Sequence, residues 1–177
     1  MALAMTSLAS ARADGITFRD KDAKFRLVYP DTWARKTPRG SHVRLLVAST
    51  HASNCNVVVL SAVSESQMPA ALEPGVWSEA DWKELLGGGF PDAAFIERRA
   101  VEMDNWPAQL VVLDTPYETA AARINGRMVI STTLRFGNLY SITCGAYGPT
   151  PDQAAAVYEQ ERATLMGIIG SFVFENY

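Results

Sequence analysis

The sequence predicts an α+β domain: a central, mostly antiparallel sheet flanked by helices, with a long C-terminal helix packed on it. Three observations carry this. Residues 127–174 read as strand, tight turn, strand, capped helix and short final strand. Earlier β-rich runs follow one another through short turns, which favours a meander over βαβ units. From Thr150, apolar residues recur at helical spacing: Ala154, Val157, Tyr158, Leu165, Ile168, Ile169 and Phe172. The chain has 177 residues, 48% hydrophobic and 20% charged, enough for one ordinary core.

In order, Ile16–Arg19 and Lys24–Tyr29 read as a hairpin. In the second strand Phe25, Leu27 and Tyr29 alternate against Lys24 and Arg26. Pro30 ends it, and Trp33 follows in a Pro-Asp-Thr-Trp corner suited to plugging the edge of the core. Lys36–Ser41 is a basic loop, Val43–Ala48 a strand and Thr50–Asn54 a polar turn. Cys55–Val63 contains four consecutive apolar residues, Val57 to Leu60, as a central strand covered on both faces would.

Ser64–Gly75 is a long irregular connection. Ser78 then caps a short helix, with Glu79 and Asp81 at its positive end and Trp82, Leu85 and Leu86 as its stripe. Gly87-Gly88-Gly89 stops it. A phosphate loop would open a helix and end in Lys-Ser/Thr, and this tract does neither. Ala94–Met103 and Trp106–Asp114 are strands around an Asp104-Asn105 turn. Thr115–Arg123 fits strand or helix. Asn125-Gly126 signals a hairpin turn because both residues accept positive φ. Met128–Phe136, a Gly137-Asn138 turn and Leu139–Ala146 follow. Thr150, Pro151 and Gln153 then make a capping box with proline in the first turn.

Charge and segment composition exclude some roles. Net charge is −3, with sixteen basic and nineteen acidic residues and no basic run. Nucleic-acid binding needs clustered Lys and Arg, so it is not expected. No apolar stretch reaches membrane-spanning length. Residues 1–13 are small and weakly apolar and end in Ala11-Arg12-Ala13, a small-x-small pattern. They read as a signal-peptide remnant or as a disordered tail, before one domain at 14–177. Export to the periplasm or outside the cell is the expectation the first reading gives.

Cys55 and Cys144 are the two cysteines. An oxidising compartment would let them pair across a loop of 89 positions, which the chain-entropy view values at roughly 4–5 kcal/mol. The alternative is two buried thiols.

Candidate chemistry is thin. His42 and His51 flank one strand and stand about 25–30 Å apart if it is extended, too far to share a metal simply. Cys55 is four residues from His51, which a strand places well apart, and Cys144 lies in a β-rich run that suits a disulfide or core role, so a Cys–His nucleophile is not expected. Asp20/Asp22 and Glu79/Asp81 fit turn and helix-start roles better than acid–base work. Trp33, Trp77, Trp82 and Trp106 lie at element edges, where they plug a core or line a binding surface.

Phe25-Arg-Leu-Val-Tyr-Pro-Asp-Thr-Trp33, Leu139-Tyr-Ser-Ile-Thr-Cys144 and Ile168-Ile-Gly-Ser-Phe-Val-Phe174 together resemble the PsbP-like α/β/α sandwich. That superfamily also holds the yeast Ran-binding Mog protein and the bacterial periplasmic DcrB proteins, and the DcrB-like branch is the one expected here. The resemblance spans about residues 16–175. It implies a sheet with helices on both faces, and non-enzymatic accessory work through protein contact. No cofactor and no functional residue carry over from it. The expected function is a periplasmic or secreted binding protein with an unidentified protein partner, a monomer or weak oligomer, using the 64–75 and 36–41 loops. The alternatives are a small-ligand or metal-binding protein, and a chaperone for secreted effectors.

Overall fold

The computed structural model describes residues 15–61, 75–87, 90, 92–118 and 123–175, the backbone alone at 117 and 118. The elements are β1 (Gly15–Asp20), β2 (Phe25–Pro30), β3 (Ala34–Arg35), β4 (Val43–Ala48), β5 (Ser53–Ser61), α1 (Glu79–Leu86), β6 (Ala94–Met103), β7 (Trp106–Glu118), β8 (Arg123–Arg135), β9 (Asn138–Gly148), α2 (Pro151–Gly170) and β10 (Val173–Phe174). Seven strands make the main sheet in the order β3-β4-β5-β9-β8-β7-β6, and every pairing is antiparallel. Two meanders, β3 to β5 and β6 to β9, join where β5 pairs with β9. The expected antiparallel sheet with a long C-terminal helix is present.

The first hairpin does not join the main sheet. β1 and β2 pair with β10 in a separate three-stranded sheet. Alternation in β2 buries Phe25, Leu27 and Tyr29. Those side chains meet α2 and the main sheet in one core with Val57, Tyr140, Ile142, Leu165 and Phe172. Ser171 locks this layer: its hydroxyl accepts from the Val28 amide and stands 3.0 Å from the Val28 carbonyl. The opposite face of the main sheet carries α1. Trp77, Trp82, Val111, Leu113, Met128 and Ile130 form a second core there. A central sheet therefore has a helix on each face. The alternating burial of β5 puts Val57 and Val59 in the first core, while Leu60 packs against the second.

Local signals set the helix ends. Ser78 accepts from the Asp81 amide, and Asp81 returns a bond to the Ser78 amide, completing a capping box. The Ser78 hydroxyl bond holds the Asp81 carboxyl below its ordinary range. Gly87 ends α1 at φ 57°, the left-handed conformation glycine takes readily. Thr150 caps α2 through the Gln153 amide. The Gln153 side chain meets the Thr150 hydroxyl, so only one arm of the expected capping box is the usual one.

Two expected turns are displaced. Asn125-Gly126 lies inside β8, opposite Pro116 and Thr115 of β7. The β7–β8 connection falls at 119–122, outside the described residues. Gly126 is needed for packing instead: a Cβ there would stand 3.2 Å from the Tyr147 ring, which crosses from the neighbouring strand β9. Asn125 donates to the Pro149 carbonyl. The second displaced turn is Phe136-Gly137, with φ of 54° and 69°, while Asn138 already pairs with Arg135. Thr115–Glu118 is strand. β3 and the start of β5 at Ser53 were not evident in the sequence. Residues 62–74, most of the expected contact loop, lie outside the described residues.

Tyr140 and Tyr158 give the fold a pH limit. Burial pushes both phenols above their ordinary value of 10.0. Tyr140 donates to the Ala23 carbonyl at 2.9 Å, tying the main sheet to the β1–β2 turn. A raised phenol pKa favours the protonated native state, so this contribution is complete below pH 10 and lost as pH rises through the folded-state values. Stability measured by denaturant melts is expected to be flat across pH 8–9.5 in this respect and to fall above pH 10. Tyr158→Phe should shallow that alkaline slope; an unchanged slope would contradict the assignment.

Candidate functional site

The meander decides where an aromatic cluster forms. In β6 to β9 the hairpin turns alternate ends, so Asp104-Asn105 and Phe136-Gly137 emerge on the same side. Both residues of the first turn have positive φ, 52° and 58°. Trp106 opens β7 and its indole N–H donates to the Leu134 carbonyl at 3.0 Å. The Arg135 guanidinium carbon stands 4.9 Å from the Trp106 ring centre, 4.6 Å from Phe136 and 4.4 Å from Phe174. Asp104 accepts from the Phe174 amide at 2.9 Å and stands 4.0 Å from Arg135. The Arg135 Nε is buried and has no hydrogen-bond partner among the described residues.

Two members of this cluster face solvent, while Phe174 is buried and Arg135 largely so. Phe136 is 58% exposed and Trp106 39%. Phe136 also holds a left-handed backbone, which for a side chain of this kind costs about 1–2 kcal/mol. An exposed, strained aromatic at a hairpin tip adds little to the core. Exposed aromatic residues such as Trp106 and Phe136 are of the types enriched in protein interfaces. Of the four tryptophans weighed from sequence, Trp33, Trp77 and Trp82 are buried and Trp106 alone is open. Arg135, Phe136 and Phe174 were not singled out by sequence reasoning. The signal was there, in the Arg-Phe-Gly-Asn hairpin tip, but only the fold brings Phe174 and Trp106 to it.

A cavity of about 230 Å³ adjoins the cluster through Met103 and Asp104. Arg99, Val101, Leu110 and Ser131 line it from the sheet, and Met166 from the C-terminal half of α2. On another strand pair, Arg127 grips Asp114 with two 2.7 Å bonds. The bond to Asp114 raises the Arg127 pKa.

The remaining candidates are apart from this end. Cys55 and Cys144 form a disulfide between directly opposed residues of β5 and β9, both buried. His42 and His51 are exposed at the two ends of β4. Among the described residues no group of three or more His, Cys, Asp or Glu gathers as a metal site. Lys36 and Arg39 of the 36–41 loop are exposed at the β3 edge. Among the described residues no helix is long and apolar enough to cross a membrane.

No family model and no curated protein matches the sequence. Solved structures do match. The solution structure of cyanobacterial PsbP (CyanoP) from Synechocystis sp. PCC 6803 aligns with a TM-score of 0.64 at 12% identity, over 96% of this chain and 97% of that one. The Saccharomyces cerevisiae Ran-binding protein Mog1p aligns with a TM-score of 0.59 at 9% identity, over 92% and 96%. At such identities the likeness is one of fold. This chain has the α/β/α sandwich fold of CyanoP and Mog1p, as the three sequence stretches implied.

Proposed function

We propose that this protein is a non-enzymatic accessory protein that works by protein–protein contact outside the cytoplasm, and that Trp106, Arg135 and Phe136 form its contact surface. The observation that carries the reading is the exposed pair Trp106 and Phe136, held against a largely buried Arg135 at the hairpin end. A neighbour in fold, Mog1p, is named for binding a protein, Ran. The buried Cys55–Cys144 bond suits an oxidising compartment, and with it the DcrB-like periplasmic branch. The same bond weighs against a cytosolic effector chaperone, since cytosolic thiols are kept reduced.

Phe136→Asn tests the surface without harming the fold, because asparagine tolerates the left-handed backbone. Its melting temperature is expected to stay within a few degrees of the parent, while binding falls at least tenfold, the scale of a lost interface anchor. Partner binding that is untouched by both Phe136→Asn and Trp106→Ala would refute this reading.

A second reading rests on the cavity beside Met103: a small-ligand site. At about 230 Å³ it is smaller than the usual ligand pocket of roughly 300–1,000 Å³. A thermal-shift screen tests it, since a ligand bound to the native state raises the melting temperature.

A further inference from the structure

β6 is the outer strand of the main sheet and is ten residues long. Among the described residues only β7 bonds to it, so its other side presents a row of unpaired N–H and C=O groups. The opposite edge of the sheet, β3, has two residues. Long free edges in stable proteins are covered or blunted. β6 carries a register irregularity between Phe95 and Glu97, near its start, and four charged side chains, Glu97, Arg98, Arg99 and Glu102, which blunt the edge toward any partner that does not match them.

Beyond that irregularity the strand alternates cleanly. Val101 and Met103 pack toward the α2 core, and Arg99 shares their face. Arg98, Ala100 and Glu102 share the other, where Arg98 donates to the Trp77 carbonyl before α1. Glu102 is exposed and has no ion-pair partner among the described residues. The carboxylate nearest Arg98, on Glu79, is at 4.0 Å, the outer limit of an ion pair.

We propose that two copies of this chain pair edge to edge through β6, antiparallel, about a two-fold axis at Ala100. The register follows from the sequence. An axis perpendicular to the sheet keeps faces matched, so it must pass through a residue; an axis between residues would oppose side chains of different faces. Centred on Ala100, Arg98 of each copy lies opposite Glu102 of the other, twice, and Arg99 lies opposite Val101. Centred on Arg98, Arg99 or Glu102, like charges face each other across the axis. Centred on Val101, no two charged residues of β6 lie opposite each other. Ala100 is therefore the centre at which both Arg98–Glu102 pairs form with no like-charge contact on the axis. The contact is isologous and closes as a dimer. The Arg99 stem of one copy also covers Val101 of the other, beside the cavity.

Sedimentation equilibrium on the full chain is the first test, and a concentration-dependent monomer–dimer equilibrium is expected. Arg98→Glu should weaken dimerisation at least tenfold, and Arg98→Glu with Glu102→Arg should restore it. Both variants lose the Arg98 contacts to Trp77 and Glu79, so restoration isolates the pairing across copies. Under oxidation Ala100→Cys should cross-link into a dimer. Glu97→Cys should not, because the two copies of that residue would stand about 20 Å apart. A monomer up to the solubility limit would overturn the proposal. So would a dimer that Arg98→Glu leaves unchanged, or one that Glu97→Cys cross-links as readily as Ala100→Cys.

Discussion

Replacing Cys55 and Cys144 together by alanine is expected to lower stability by roughly 4–5 kcal/mol, the largest effect of any change considered. The bond closes a loop of 89 positions and ties β5 to β9, the one strand pairing that joins the two meanders of the main sheet. Cutting it frees the unfolded chain and leaves two small voids in the α2-side core, where both residues are buried. The native pairing persists in the reduced protein, because nine residue pairs between β5 and β9 remain in register, from Ser53–Ala146 to Ser61–Asn138. The expected result is a folded but much less stable protein, read by urea melts with and without reductant. Equal midpoints under the two conditions would contradict the account.

Trp82→Ala is the second large effect. Trp82 is fully buried on α1 and packs at 5.1 Å from Trp77, over Val111, Leu113, Met128 and Ile130. Truncating a buried aromatic of this size costs about 3–5 kcal/mol. In a chain of this length that lowers the melting temperature by on the order of 10 °C. Trp82 is the fully buried residue of α1, so the helix is expected to loosen first and hydrogen exchange in 79–86 to accelerate before the sheet opens. Trp82→Phe should cost far less. It keeps the ring volume in part and removes an indole N–H that has no hydrogen-bond partner among the described residues. A Phe variant as unstable as the Ala variant would contradict this packing.

The legible parts of the fold were those where one local rule decides. Alternation in β2 named its buried face, and Thr150 with Pro151 fixed the start of α2. Asp104-Asn105 turns because both residues take positive φ and nothing in the sheet competes for them. Asn125-Gly126 carried the same local signal and failed. There the glycine is set by its partner on the next strand: the Tyr147 ring, which needs the room a side chain would fill. The separate sheet of β1, β2 and β10 was likewise invisible locally. It exists because the last strand returns to the first hairpin, a pairing between residues 26 and 173. The contact surface shares this character. Trp106, Arg135, Phe136 and Phe174 come from three distant stretches, and only the alternation of hairpin ends gathers them.

The central claim is that the Trp106–Arg135–Phe136 end is the surface by which this protein works. Cross-linking mass spectrometry in the extracytoplasmic fraction of the native cells, comparing the parent with Phe136→Asn and Trp106→Ala, tests it most directly. The account predicts a partner cross-linked through peptides of the β6–β7 and β8–β9 turns, captured by the parent and lost with both variants while the melting curve of Phe136→Asn remains intact. Cross-links confined to the 36–41 loop or to α1, and retained at full strength by both variants, would contradict it.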